Sequence, residues 1–286
     1  MKLLKKNAIV TGGSMGLGAA IVKEFIQEGA NVVFCSRNER EGNKLLVALK
    51  KFLHPGQELI YQKCDVSSKT EINQLFTLVF KKLKTIHILV NNAGIYGPMG
   101  PSEDVLWEEW TEAIEINLFG VFAFSRKVIP IFKKQKYGKI INISGGGATN
   151  PLPGISAYAA SKAAVVRLTE TLAEELQDWN VDVNAVAPGV LNTRLLDQVL
   201  KAGPDKVGQT FYQKSMKQSS DGGTSLEKGA QLCVYLASRE SDGISGKLIS
   251  ALWDPWPKLK DHQKKLKESD IYCLRRIVPE DRGMKF

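Results

Sequence analysis

This chain of 286 residues has few cysteines and histidines, and it has no long apolar run. No stretch approaches the roughly 20 apolar residues a membrane-spanning helix requires, so no membrane partner is expected. The opening Met1–Lys6 carries the positive charge of an export signal, but the apolar stretch from Asn7 to Val10 breaks at once into Thr11-Gly12-Gly13. That stretch is too short for the core of such a signal, and a soluble, cytoplasmic protein is expected. Four cysteines, at positions 35, 64, 233 and 273, show no close metal-ligand spacing, and three of them lie inside apolar runs where a thiol serves as a small core residue. A reducing compartment and no metal site follow. His54, His87 and His262 are isolated in the sequence, which argues against a catalytic or ligand role for any of them.

Strong charge of one sign is also missing from the body of the chain. The 39 Lys and Arg exceed the 30 Asp and Glu by nine, but Lys258 to Phe286 alone holds nine basic residues against five acidic ones. Nearly half the excess thus sits in the last tenth. A nucleic-acid groove needs basic residues interleaved with stacking aromatics along the fold, so no nucleic-acid partner is expected; an anionic small ligand or a solvated tail fits better.

With 43% hydrophobic residues the chain can bury one sizeable core. Short β-branched runs alternate with stretches of helical period, the pattern of βαβ units and a parallel sheet. Strands are expected at 8–11, 31–35, 59–64, 87–91, 139–144, 181–187 and 247–250, with helices at 16–28, 39–52, 69–82, 104–134, 157–178 and 226–237. The fold class is therefore α/β, a doubly wound seven-stranded parallel sheet with helices on both faces. Residues 1–250 are expected to form one domain, with a lid at about 190–225 punctuated by Gly203-Pro204 and Asp221-Gly222-Gly223. Residues 251–286 form a C-terminal extension that starts with Trp253-Asp254-Pro255-Trp256-Pro257 and is expected to dock rather than to dangle.

The first strand runs into Thr11-Gly12-Gly13-Ser14-Met15-Gly16-Leu17-Gly18 and then a helix. Glycines there permit a tight turn and close approach of the backbone to a pyrophosphate, while the helix N-terminus supplies N–H donors and a positive dipole. The alternative is an ordinary strand-to-helix connection. About twenty residues on, a dinucleotide-binding fold shows its choice of cofactor, an acid for a ribose 2′-OH or an arginine for a 2′-phosphate. The second strand ends in Ser36-Arg37-Asn38 with no carboxylate, which favours NADP(H) over NAD(H), with a plain surface arginine as the rival reading. Tyr158 and Lys162 lie four apart at a helix start and share a face. An ammonium beside a phenol lowers the phenol's pKa and suits Tyr158 to exchange a proton with an alcohol or carbonyl oxygen.

In order and spacing these residues resemble the short-chain dehydrogenase/reductase family over about residues 5 to 250. The family's T-G-x-x-x-G-x-G is Thr11 to Gly18, its acidic residue after the third strand is Asp65, followed by Val66, and its N-N-A-G is Asn91 to Gly94. Its active-site Asn, Ser, Tyr and Lys fall on Asn117, Ser144, Tyr158 and Lys162, and its P-G-x-x-x-T falls on Pro188, Gly189 and Thr193. The resemblance implies hydride transfer, with Tyr158 as proton donor, Ser144 bonded to the same substrate oxygen, and Asn117 holding a water that links Lys162 to solvent. It also implies that Asp65 accepts from the adenine amino group, that Asn91 contacts a ribose beside Ala93 and Gly94, that Lys162 holds the nicotinamide ribose, and that Thr193 and the backbone at Val190 hold the carboxamide. Asp65 and Thr193 could instead be helix caps. A homotetramer or homodimer paired through the helices at 104–134 and 157–178 is implied as well.

Two departures limit the match. Gly145-Gly146-Gly147 follows Ser144, leaving the substrate side open, and Ala251 to Trp256 replaces the family's glycine-rich ending. Trp253, Trp256, Tyr272, Arg275 and Arg276 are candidates to cover the substrate pocket of their own or a neighbouring subunit, the rival reading being a packed extension with a solvated basic face. Tyr96, Asn150, Leu152, Arg194 and the lid residues give a mixed polar and apolar substrate lining. The expectation is therefore an NADP(H)-dependent oxidoreductase acting on a sugar, nucleotide sugar or other polar ketone. The alternatives are a 3-oxoacyl thioester reductase, an epimerase or dehydratase that retains its cofactor, and a non-catalytic dinucleotide-binding regulator.

Overall fold

A computed structural model describes residues 1–220 and 222–285; Asp221, part of the expected lid punctuation, and Phe286 lie outside the described residues. Seven strands form one parallel sheet: β1 (Asn7–Thr11), β2 (Asn31–Ser36), β3 (Leu59–Lys63), β4 (Ile88–Asn91), β5 (Gly138–Ile143), β6 (Val181–Ala187) and β7 (Leu248–Ser250). Their order is β3-β2-β1-β4-β5-β6-β7, so the chain reverses direction across the sheet between β1 and β4. Ligands bind at the carboxyl ends of the strands beside such a reversal.

Alternation along the strands builds two cores. Ala8, Val10, Val32, Phe34, Ile88 and Val90 face the helices α1 (Gly16–Gln27) and α10 (Leu226–Ala237), where Ile21, Phe25, Leu232 and Leu236 bury against them. Ile9, Val33 and Leu89 point the other way, toward α3 (Lys69–Leu83), α5 (Gly120–Gln135) and α6 (Ser156–Leu176), meeting Leu75, Val79, Phe124, Val128 and Leu172. Both strand faces are apolar because both are covered. α2 (Glu39–Leu49) starts at Asn38, whose side chain accepts from the Glu41 N–H.

The helix expected at 104–134 is divided. α4 (Trp107–Ile114) leads into a π-helical turn over Glu115–Phe119 and then α5, which carries Pro130 inside it. Asn117 lies on the π turn, a feature that inserts an extra residue into a helical turn and often marks a functional site. The expected lid contains α7 (Arg194–Ala202), α8 (Pro204–Val207) and α9 (Gln209–Ser220).

The extension is docked. Leu259 and Leu266, the latter on α11 (Gln263–Lys267), are buried in the α1/α10 core, and Trp256 packs on Tyr235 with ring centroids 5.6 Å apart. At the outer edge of the sheet the Leu248 N–H donates to the Tyr272 carbonyl (2.8 Å) and Lys247 Nζ to the Ser269 carbonyl (2.9 Å), so the edge strand is covered by its own tail. Among the described residues no helix is long and apolar enough to cross a membrane, and no group of His, Cys, Asp and Glu could hold a metal.

Candidate active site

The carboxyl ends of the strands open into one cavity of about 690 Å³. Gly12, Ser14, Met15, Gly16, Leu17 and Gly18 form one wall, and Ser36, Arg37, Asp65 and Val66 one end. Ala93, Gly94, Pro188, Gly189, Val190 and Thr193 lie along it, and Tyr96, Ser144, Asn150, Tyr158, Lys162 and Arg194 complete it. Nearly every residue expected at the site thus lines a single space.

The glycine-rich turn is tight for reasons visible in the backbone. Gly12 has a φ of +62°, and a Cβ on it would lie 2.8 Å from the Ala93 Cα; one on Gly18 would lie 2.2 Å from the Gly12 carbonyl oxygen. No side chain caps α1, whose N-cap position is Met15, so its first N–H groups face the cavity without a protein partner from that residue. Glycines at close approaches and an uncapped helix start are the features an anionic pyrophosphate fits.

Three expected residues stand behind the wall. The Thr11 hydroxyl accepts from the N–H groups of Asn92 (3.0 Å) and Ala93 (3.1 Å), tying the end of β1 to the end of β4. The Asn91 side chain turns into the sheet and donates to Asn142 Oδ1 (2.8 Å) and Ser125 Oγ (3.3 Å), while its own Oδ1 is buried without a partner. The expected ribose contact is therefore not one its side chain makes; the neighbouring Asn92 lines the cavity instead. Fully buried Asn117 accepts from the Ile95 N–H (2.9 Å) and donates to the Ile95 carbonyl (2.8 Å) and Ser161 Oγ (3.0 Å). Both amide hydrogens are used, so it clamps the segment after β4 to α6. A Cβ on Gly94 would meet Asn117 Oδ1 at 3.2 Å and Lys162 Nζ at 3.4 Å, so both polar atoms point to that glycine.

At the other end, Arg37 stands half-exposed, 3.8 Å from Asp65 Oδ2 and 3.6 Å from Glu112 Oε1. Long, exposed contacts of this kind contribute little and leave the guanidinium free to pair with a ligand. Asp65 Oδ1 accepts from the N–H and hydroxyl of Ser67 (2.9 and 2.7 Å), so that oxygen is engaged locally. Thr193 occupies the N-cap position of α7 without a side-chain capping bond.

Tyr158 and Lys162 project from the first turns of α6. Lys162 Nζ lies 5.6 Å from the Tyr158 ring centroid and donates to the Ile143 carbonyl (2.8 Å). Burial pushes the Lys162 amine down to about 8. Burial, and secondarily Tyr96, whose ring stands edge-on at 4.7 Å, push the Tyr158 phenol up. A phenol drawn down by its lysine was expected; in the chain by itself burial pushes it the other way.

Ser144 also differs from expectation. It is buried, and its hydroxyl donates to the Lys162 carbonyl (3.3 Å). A hydroxyl has one hydrogen, and in this arrangement it is not available to a substrate oxygen. The backbone position next to the Tyr158 hydroxyl belongs to Gly145, where a Cβ would come within 2.8 Å of it. Sequence reasoning missed Cys64 and Asp254 and singled out neither Phe211 nor Gln218 within the lid, all of which line the cavity; Trp253, a candidate cover for the pocket, lines it as well. Asn92 had a signal in its neighbour Asn91, and Asp254 had one in Trp253. Arg275 pairs with Asp270 and with Asp281 (2.6 Å) inside the extension, and neither it nor Arg276 lines the cavity.

Comparison with known proteins agrees with this geometry. A family model described as short chain dehydrogenase matches residues 6–203. The chain is 34% identical over 254 residues to a 3-oxoacyl-acyl-carrier-protein reductase of Thermotoga maritima, covering 87% of this chain and 97% of that protein. It is 41% identical over 189 residues to 3beta-hydroxysteroid dehydrogenase 1 of Eggerthella lenta, covering 66% and 71% of the two. It is 32% identical to an L-fucose dehydrogenase of Oryctolagus cuniculus, covering 82% and 80%. The crystal structure of an NAD+-bound xylitol dehydrogenase superposes with a TM-score of 0.79 at 26% identity, covering 87% of this chain and 98% of that one. The chain therefore belongs to the short chain dehydrogenase family, as an oxidoreductase acting on alcohols and ketones.

Proposed function

We propose that the chain interconverts a polar ketone and its secondary alcohol with NADP(H) as the hydride carrier. The observation that carries this reading is a single cavity with Arg37 and no carboxylate of β2 at one end, and Tyr158 with Lys162 at the other. The chain's residues fit the cofactor along its length. The α1 N-terminus and Gly12–Gly18 hold the pyrophosphate, Ser36 and Arg37 the 2′-phosphate, Asp65 and Val66 the adenine, Lys162 and the turn Asn92–Gly94 the nicotinamide ribose, and Val190 with Thr193 the carboxamide. When bound, the nicotinamide supplies or takes up the hydride at the substrate carbon.

In reduction, Tyr158 gives its hydroxyl proton to the substrate oxygen as that carbon receives the hydride; in oxidation it takes the proton back. Lys162, held near 8, remains protonated through neutral pH and stabilises the phenolate that forms. Asn117 is a positioning residue, fixing the 94–95 backbone against α6. Gly145 leaves room at the Tyr158 hydroxyl for the substrate oxygen. The substrate side carries Tyr96, Asn150 and Arg194, a mixed lining that favours a sugar or related polar ketone.

Fluorescence titration of NADPH and NADH tests the cofactor assignment without a substrate. The wild type is expected to bind NADPH more tightly, and Arg37→Asp to reverse the order by setting a carboxylate where the 2′-phosphate sits. Equal affinities in the wild type refute it.

A further inference from the structure

The wall of the cavity includes an aromatic side chain that the protein neither buries nor packs. Trp253 lines the cavity, yet it is 84% exposed, and no ring or cation lies against it among the described residues. Its backbone is held firmly. Ser250 Oγ accepts from the N–H groups of Leu252 (3.3 Å) and Trp253 (3.2 Å), and Asp254 Oδ2 accepts from the Ser250 N–H (2.6 Å). Trp256 Nε1 donates to the Ala251 carbonyl (3.2 Å). The start of the extension thus presents one large flat face at the mouth of the site.

We propose that Trp253 is a stacking platform for the ring of a hydroxylated substrate, and that the substrate class is a pyranose sugar or pyranoside; this rests on the reading of the cavity as an alcohol–ketone oxidoreductase site. The polar groups that line the same cavity decide between rings. Asp254, the next residue in the chain and also in the cavity lining, is an acceptor, which suits sugar hydroxyls and opposes a phosphate. Asn150 spends its amide hydrogens on the Gly146 carbonyl and Thr149 Oγ1, and Gln218 Nε2 donates to Asn192 Oδ1. Each thereby keeps its carbonyl oxygen for a hydroxyl donor. A sugar ring has an apolar C–H face for the indole and hydroxyls around its rim for these acceptors, whereas a steroid or acyl chain would leave them unpaired.

The test compares wild type, Trp253→Ala and Trp253→Phe in the oxidation of methyl hexopyranosides and of cyclohexanol, with NADP+ and with NAD+. Cyclohexanol has a ring but no rim hydroxyls beyond the reacting one. The ratio of kcat/KM for pyranoside over cyclohexanol is expected to fall about tenfold in Trp253→Ala, through KM, and to recover in large part in Trp253→Phe. An equal fall for both alcohols, no change, or cyclohexanol turnover with none of the pyranosides overturns the proposal. So does an unchanged ratio accompanied by a lower mass in light scattering, which would mean that a second copy covers the indole. Calorimetric binding of the methyl pyranosides to wild type and Trp253→Ala, with cofactor present, keeps the two readings apart. If neither alcohol is oxidised with either cofactor, the oxidoreductase reading fails, while loss of pyranoside binding in Trp253→Ala still supports the platform and its persistence refutes it.

Discussion

Replacing Gly145 by alanine should act on the Tyr158 hydroxyl and on little else. The added Cβ would lie 2.8 Å from that oxygen and 3.7 Å from the Tyr158 Cζ. Ordinary contact begins near 3.4 Å, so the pair overlaps by about 0.6 Å. The backbone of Gly145 is extended, at φ 176° and ψ −179°, which alanine adopts freely. The conflict therefore falls on Tyr158, which cannot swing away because Tyr96 stands against it at 4.7 Å. A displacement of about half an ångström at the proton-exchanging atom should lower kcat about tenfold, given that about 1 Å can cost about 100-fold. The same overpacking should cost stability about 1–3 kcal/mol. Gly146→Ala is the matched control, since a Cβ there meets nothing within 4 Å. Initial rates of NADPH oxidation with a ketone, NADPH titration and thermal melts separate the effects. An unchanged kcat for Gly145→Ala, or loss of NADPH affinity equal to the loss of rate, would refute the steric argument.

Ser144→Ala should lower kcat by less than about threefold, because its hydroxyl donates to the Lys162 carbonyl; a far larger fall would show that it turns to the substrate oxygen. Burial holds the His87 imidazole down at about 4 from its ordinary 6.5, with Nδ1 accepting from the Asn7 N–H. The unfolded chain then binds a proton that the folded chain does not, so stability is fully present above about 6.5 and falls as pH drops toward 4. Denaturant melts over that range check the sign, which His87→Gln should remove. Leu106, Trp107, Phe119 and Phe122 are exposed on or beside α4 and α5, and a homo-oligomer paired through these helices is expected; a monomeric mass in light scattering at micromolar concentration would contradict it.

The strands were legible because each is a short β-branched run closed by glycine or a polar turn, and their observed ends fall within one residue of those expected. The π turn at Asn117 was not. Apolar residues recur at three and four through Trp107, Trp110, Ile114 and Leu118, and an inserted residue leaves that pattern continuous. The cavity wall was legible where spacing ties a residue to a strand end, as at Gly12–Gly18, Arg37 and Tyr158. Just past a strand end the alternation that tells inside from outside is lost, and there the close approach of Gly145 to the Tyr158 hydroxyl and the bond from Ser144 to the Lys162 carbonyl had no sequence signal. Trp253 was legible as a tail aromatic that could reach the pocket, but its exposed position was not, because that depends on how residues 268–274 fold back over β7.

The central claim is that Tyr158 exchanges the proton with the substrate while the cavity from Gly12 to Arg37 binds the cofactor, and Tyr158→Phe tests it most directly. The variant removes one hydroxyl and leaves the ring in place. Turnover of a ketone by NADPH should fall about 100- to 10,000-fold, while NADPH titrates as it does with the wild type. A rate within about threefold of wild type, with cofactor binding intact, would contradict the account.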